Sequence, residues 1–210
     1  MKQKFKHFKT LLTFCFSLFL SVGLVNGQET LIISEVTDPG DVANAKYVEL
    51  YNATDADIDL STWQIRRYAN GNTSSTNASL AGTLASGETY LVAGNETEFT
   101  TQYGFAPDQS SSAISGNGDD VYELFDGTSV IDIYGEVGVD GSGTAWEYEN
   151  SRAVRAATVG SGNTTWTASE WTIAAADVAD MTRVSILVIF RSPHHLPQLS
   201  HRKMVRLMYL

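Results

Sequence analysis

Short runs of alternating apolar and polar residues occupy most of the stretch from residue 28 to residue 182, and they constrain the fold more than any other feature. Tyr47-Val48-Glu49-Leu50-Tyr51 is the clearest example, because its side chains alternate with the period of two that a half-buried strand requires. The runs are rich in Val, Ile, Tyr, Trp and Thr, and clusters of Gly, Asn, Asp and Ser separate them. About seven to nine such strands predict an all-β fold built as an antiparallel sandwich.

The predicted strands follow from these runs. They are Leu31–Val36, Tyr47–Tyr51, Trp63–Tyr68, Thr89–Val92, Val121–Phe125, Val130–Tyr134, Trp146–Tyr148 and Trp171–Ile173. Asp126-Gly127 lies between two apolar runs and predicts a hairpin turn, because glycine accepts the positive φ that such turns need. Residues 69–80 and 106–118 are small and polar, so we predict that they form loops.

One short helix and a set of core residues are also predicted. The helix covers Glu96–Tyr103, since Asn95 can cap its start and Gly104 can end it. A tryptophan at the start of a strand can bury a large surface against the opposing sheet. The residues expected in the core are Trp63, Leu50, Ile133 and Trp146.

Composition limits the chemistry that residues 28–182 can perform. This region holds 24 acidic residues and five basic ones, a net charge of −19, and it contains neither histidine nor cysteine. It therefore cannot provide a Ser-His-Asp or Cys-His centre, an imidazole base or an ordinary zinc site. The negative charge also repels phosphate, so we expect no nucleic-acid binding. Arg66-Arg67 is a lone basic pair, and its two side chains should leave opposite faces of a strand.

The two ends of the chain differ from the middle. Residues 1–27 carry four lysines before an apolar run and end in Val25-Asn26-Gly27, a pattern typical of a secretory signal peptide cleaved before Gln28. After cleavage we expect no transmembrane anchor and an extracellular or cell-surface location.

Residues 183–210 carry five bases and no acid. Two interpretations are open. A shifted reading frame could have produced this segment, in which case the natural protein continues into further domains. Alternatively, it is a basic tail that binds an anionic surface.

The acidic residues are the candidate ligands and catalytic groups. Asp119, Asp120, Asp126 and Asp140 could bind calcium, which prefers several oxygen ligands. The alternative is that these aspartates stabilise turns, because Asp readily bonds its own backbone there. A pair of carboxylates could in principle hydrolyse glycosides. No spacing marks such a pair, so we expect no catalytic residue and no obligatory cofactor.

Six fragments, in this order, resemble the lamin tail domain. They are Ile32–Val36, Tyr47–Asn52, Ile58–Trp63, Leu84–Val92, Gly118–Leu124 and Val130–Gly135. The stretch Trp146–Tyr148 with Arg155, followed by Trp166 and Trp171, resembles the C-terminal part of bacterial exported versions. The resemblance implies that residues 28–182 form one immunoglobulin-like domain. Arg155, near Trp146 and Tyr148, is expected to stack on an aromatic ring for structural reasons.

The function expected from these observations is non-catalytic. The domain should attach a protein or an extracellular polymer at the cell surface, either alone or within a larger exported polypeptide. Two alternatives stay open. One is a calcium- or carbohydrate-binding module that accompanies a secreted hydrolase, and the other is a hydrolase that works with acidic residues alone.

Overall fold

The computed structural model of the chain describes residues 30–181. The predicted signal peptide (1–27) and the predicted tail (183–210) lie outside the described residues. The elements in the described part are β1 (Leu31–Asp38), β2 (Tyr47–Asn52), β3 (Ile58–Asp59), β4 (Gln64–Tyr68), β5 (Thr76–Ser79), β6 (Thr83–Leu84), β7 (Thr89–Ala93), α1 (Glu96–Tyr103), β8 (Gln109–Ser110), β9 (Val121–Phe125), β10 (Val130–Tyr134), β11 (Ser151–Arg155) and β12 (Trp171–Ala175).

Two main sheets form the fold. One has the strand order β12-β11-β1-β2-β7-β8 and the other the order β10-β9-β4-β5, while β3 and β6 form a small separate pair. All neighbouring strands are antiparallel except β7 and β8. Side chains from both main sheets share one apolar core. The prediction of an all-β, immunoglobulin-like sandwich is thus confirmed.

The core contains most of the residues that the sequence assigned to it. Leu50 is 0% exposed, Trp146 2% and Ile133 8%. Trp63 differs, because it is only partly buried and packs against the margin of the core. It lies just before β4, in a turn where its N–H donates to the carbonyl oxygen of Leu60 at 2.9 Å, and this position keeps part of the indole in solvent.

Helix α1 begins and ends where the sequence predicts. The Asn95 side chain accepts a hydrogen bond from the Glu98 N–H at 3.0 Å, and Gly104 ends the helix with a φ of +74°. Phe99 is the buried residue of the helix. Its ring contacts Tyr47 on β2 edge-on, with 5.6 Å between the ring centroids. The helix therefore covers one end of the outer face of the six-stranded sheet.

Several local predictions differ from the structure. Trp146–Tyr148 does not form a strand, although Trp146 and Tyr148 are buried in the core. The predicted loop at residues 69–80 contains β5, a polar edge strand in which only Ala78 is buried. The predicted loop at residues 106–118 contains the two-residue strand β8, which pairs with β7. Strand β11 was not predicted, since its sequence Ser-Arg-Ala-Val-Arg places two arginines in a sheet. The predicted hairpin at Asp126-Gly127 is present between β9 and β10.

Candidate functional site

A buried ion cluster joins the two sheets. Arg155 on β11 and Asp132 on β10 both have side chains that are 0% exposed, and the Arg155 Nη1 lies 2.8 Å from the Asp132 Oδ2. Asp132 also accepts the backbone N–H of Ile33 at 2.8 Å and that of Asn163 at 2.9 Å. Glu170 pairs with the other guanidinium nitrogen. These contacts compensate both charges and link the two sheets, while the Arg155 Nε is buried without a hydrogen-bond partner among the described residues.

Arg155 stacks on an aromatic ring, although not on either ring that the sequence suggested. Its guanidinium carbon lies 4.8 Å from the centroid of the Trp171 ring on the neighbouring strand β12. Trp146 and Tyr148 instead surround Tyr134, whose hydroxyl donates to the Trp146 carbonyl oxygen at 2.7 Å. The expected stacking is therefore structural, but its partner is Trp171.

The two arginines of β4 leave the strand on opposite faces. Arg66 pairs with Glu123 at 3.0 Å and lies over the Phe125 ring, with its guanidinium carbon 3.4 Å from the centroid. Arg67 pairs with the buried Asp120 at 2.7 Å. Both cations are thus engaged within the fold rather than presented to a ligand.

All five basic residues of the middle region form ion pairs inside the domain. Lys46 pairs with Asp38 at 2.9 Å, and Arg152 lies 4.0 Å from Glu35; the other three pairs are those of Arg66, Arg67 and Arg155. Because these side chains are at most a quarter exposed, the surplus of acidic residues determines the charge of the described surface. A negatively charged surface repels phosphate groups and attracts cations.

The four candidate calcium ligands have separate structural roles. Asp120 accepts from Arg67 and from the Asn70 N–H, and Asp126 accepts the N–H groups of its own turn. Asp140 accepts the Ser142 N–H, and Ser142 donates its hydroxyl to Asp119. Partial burial raises the pKa of Asp119, and the neighbouring Asp120 raises it further. Among residues 30–181, no group of three or more His, Cys, Asp or Glu side chains is arranged to hold a metal ion.

Two loops meet at one end of the four-stranded sheet and form a continuous surface, which we call the loop end (residues 69–75 and 136–142). One loop follows β4 and the other follows β10, and these strand ends lie on either side of the start of β9. Gly71 packs directly against the backbone of Val139 and Asp140, since an added Cβ there would lie 3.0 Å from the Asp140 nitrogen. The loops therefore present one combined surface.

The loop end exposes apolar side chains. Val137 and Val139 are each 39% exposed, and within the described part of the chain they are the large apolar residues that reach solvent to this degree. Glu136 and Asp140 flank them and are exposed, while neither loop contains a basic residue. An exposed apolar site surrounded by acidic groups is suited to a partner with apolar and basic side chains.

Internal hydrogen bonds hold the loop end in place. The Val139 N–H donates to the Glu136 carbonyl oxygen at 3.0 Å, and the Gly141 N–H donates to the Asp119 carbonyl oxygen at 3.1 Å. Gly141 also lies against the Trp146 ring, where a Cβ would come within 2.3 Å of the ring, so only glycine fits without a shift. A surface that is already ordered loses little conformational entropy when it binds a partner.

The sequence alone does not predict this surface. The feature in the sequence that indicates it is Glu136-Val137-Gly138-Val139-Asp140, in which two apolar valines lie between acidic residues in a segment that otherwise favours turns. Nothing in that pattern, however, indicates that residues 69–75 pack beside it. The contact depends on the sheet topology, which places the ends of β4 and β10 together.

The sequence matches the model of a known protein family. The family model described as Lamin Tail Domain matches residues 25–138, a little over half of the chain. No curated protein matches the sequence. Strands β11 and β12 lie beyond the matched range but complete the six-stranded sheet beside β1. Among the described residues, no helix is long and apolar enough to cross a membrane.

Proposed function

Since the chain belongs to the lamin tail domain family, whose immunoglobulin-like members are interaction domains, we propose that it is a non-catalytic, exported attachment domain that holds a protein partner through its loop end. The observation that carries this proposal is the exposure of Val137 and Val139 on an ordered loop that also carries Glu136 and Asp140. Loops on a rigid sandwich are a common place for recognition. Export is proposed from the sequence of residues 1–27 alone.

The roles of the most deeply buried charged residues support the non-catalytic part of the proposal. Arg155–Asp132 and Arg67–Asp120 are the most deeply buried ion pairs, and both make further hydrogen bonds to the backbone of the fold. The calcium- or carbohydrate-binding alternative and the acid-only hydrolase stay predictions of the sequence, and no contact described above favours either.

The charge distribution indicates the kind of protein partner. The loop end carries Glu136 and Asp140 beside the two valines, and the basic residues of the domain are held in internal ion pairs. We therefore expect a partner surface with an apolar centre and lysine or arginine around it. Such complementarity accelerates association and selects against acidic competitors.

The test follows the protein in the cells that produce it. The wild-type chain should appear on the cell surface with Gln28 as its first residue, as measured by mass spectrometry after surface proteins are released. The double variant V137S/V139S should be exported and cleaved equally but should appear mainly in the medium, because its apolar contact is lost. The control A81S/A85S introduces hydroxyl groups at exposed positions in the segment that precedes β7 and should stay on the surface.

Two results would contradict the proposal. An uncleaved chain in the membrane fraction would show that residues 1–27 are an anchor rather than a signal peptide. Equal retention of V137S/V139S and of the wild type on the cell surface would show that the loop end does not carry attachment.

A further inference from the structure

Strand β12 forms one edge of the six-stranded sheet. Its five residues pair with β11 in a continuous register, without a bulge. The Ala176 N–H, directly after the strand, donates to the Asn150 carbonyl oxygen at 3.1 Å, so the even-numbered residues of this segment bond to the β11 side. Because the backbone groups of an antiparallel strand alternate in direction, those of Trp171, Ile173 and Ala175 point away from the sheet.

Most of these outward backbone groups lack a partner. The Trp171 N–H donates to the Ala168 carbonyl oxygen, which closes the short 3₁₀ turn before the strand. Among residues 30–181, the Trp171 carbonyl oxygen and both backbone groups of Ile173 and Ala175 make no hydrogen bond. Ala175 is exposed and Ile173 is half-buried, so this edge lies at the surface of the described domain. A row of unpaired backbone groups is a template for another strand.

The other three edges of the two main sheets are short or partly occupied. Strand β8 has two residues. Strand β10 contains a bulge, and its Ile133 N–H donates to the Asn163 carbonyl oxygen at 3.0 Å. At β5, the Gln109 side chain donates to the Ser79 carbonyl oxygen at 2.7 Å. Strand β12 differs, because it has no charged residue, proline or bulge, the features that commonly keep an edge from pairing.

We propose that two copies of this chain pair through β12, antiparallel to each other and related by a two-fold axis at Ile173. In this register each Ile173 N–H donates to the Ile173 carbonyl oxygen of the other copy. Each Ala175 N–H donates to the Trp171 carbonyl oxygen of the other copy. All four hydrogen bonds use groups that lack a partner among the described residues of the single chain. The same patch serves on both copies, so the contact closes as a dimer.

The side chains along this contact are compatible with self-pairing. On the core-facing side, the half-buried Ile173 would meet Ile173 of the second copy and extend the apolar margin of the core. On the outer side, Thr172 would lie opposite Ala174. Over residues 169–177, no acidic residue of one copy would lie opposite an acidic residue of the other. This uncharged strand therefore lets two copies of an acidic domain approach.

The charge of the domain determines how the dimer responds to salt. Residues 28–182 carry a net charge of −19, so two copies repel each other at long range. Salt screens this repulsion and leaves the backbone hydrogen bonds in place. The dimer should therefore become tighter as the ionic strength rises. A contact between the acidic domain and the basic residues 183–210 would show the opposite dependence.

The first experiment uses the wild-type mature chain. Sedimentation equilibrium up to about 1 mM protein should show a reversible monomer–dimer equilibrium, whose dissociation constant falls several-fold between about 50 and about 500 mM NaCl. Amide hydrogen exchange should show that Ile173 and Ala175 are protected only at high protein concentration. Thr172 and Ala174, whose N–H groups face β11, should be protected at low and high concentration alike.

The second experiment tests the register with charge variants at exposed positions. T172E/A174E places like charges opposite each other across the axis, and so does T172K/A174K, so each alone should dimerise at least about tenfold more weakly. An equimolar mixture of the two variants should form a heterodimer, because each glutamate then faces a lysine. The control A81E/A85E adds the same charge at exposed positions before β7 and should dimerise as the wild type does at about 500 mM NaCl.

Several results would overturn the proposal. A wild-type chain that stays monomeric, with freely exchanging Ile173 and Ala175 amides at every concentration, would leave this edge to a strand of another protein. A dimer that T172E/A174E does not weaken would use a different surface. A dimer that weakens as salt is added would depend on opposite charges, and a mixture of the two charge variants that stays monomeric would rule out the register. The wild-type exchange measurement decides the question even if a variant folds poorly.

Discussion

Replacing Asp132 with alanine is expected to destabilise the domain by about 3–5 kcal/mol, the usual cost of leaving one member of a buried ion pair without its partner. The Arg155 guanidinium, 0% exposed, would lose its main counter-charge. The N–H groups of Ile33 and Asn163 would lose their acceptor at the same time. Urea denaturation of the mature chain measures the loss as a change in the free energy of unfolding.

The matched control is Asp55→Ala, which removes an exposed carboxylate and should change stability by no more than about 0.5 kcal/mol. If Asp132→Ala costs as little as this control, the ion cluster does not join the two sheets in solution. That outcome would also call into question the position of β11, because Arg155 reaches Asp132 only if β11 pairs with β1.

Replacing Trp146 with alanine should also cost about 3–5 kcal/mol, the range observed for deleting a buried aromatic side chain. Trp146 is 2% exposed, and its ring meets that of Tyr134 edge-on with 6.4 Å between the ring centroids. Trp63→Ala is the matched comparison and should cost clearly less, because Trp63 is only partly buried at the margin of the core. Denaturation of both variants under identical conditions gives the comparison. Equal losses, or a larger loss at Trp63, would show that the two tryptophans are placed incorrectly.

The sequence predicts the fold where hydrophobic alternation and burial agree. Strands β9 and β10 and helix α1 have the predicted bounds, because their patterns and turn residues carry the information locally. Strand β11 could not be found in this way, since its inward residue Arg155 is an ion-pair partner rather than an apolar side chain. Strand β5 was not predicted for a related reason. It is a polar edge strand with one buried alanine, so its sequence shows no alternation of apolar and polar residues.

The candidate sites depend more strongly on long-range contacts. The sequence shows the surplus of acidic residues, but it does not show which acids pair with which arginines. Arg67 pairs with Asp120 across 53 residues, and Arg155 pairs with Asp132 across 23 residues. Nor does it show that Glu35 and Glu49 are neighbours, since this follows from the register of β1 against β2 after a bulge. Composition therefore excludes several chemistries, while the surfaces and the buried charge pairs depend on the topology.

The most direct test of the proposed attachment function is site-specific photo-crosslinking on producing cells. A photoreactive amino acid at position 137 should give a crosslinked protein product in high yield, because this side chain would lie within the interface. The same group at Thr128, in the β9–β10 hairpin at the opposite end of the four-stranded sheet, should give little or none. Crosslinking that is equal at the two positions, or that occurs only from position 128, would contradict attachment through the loop end.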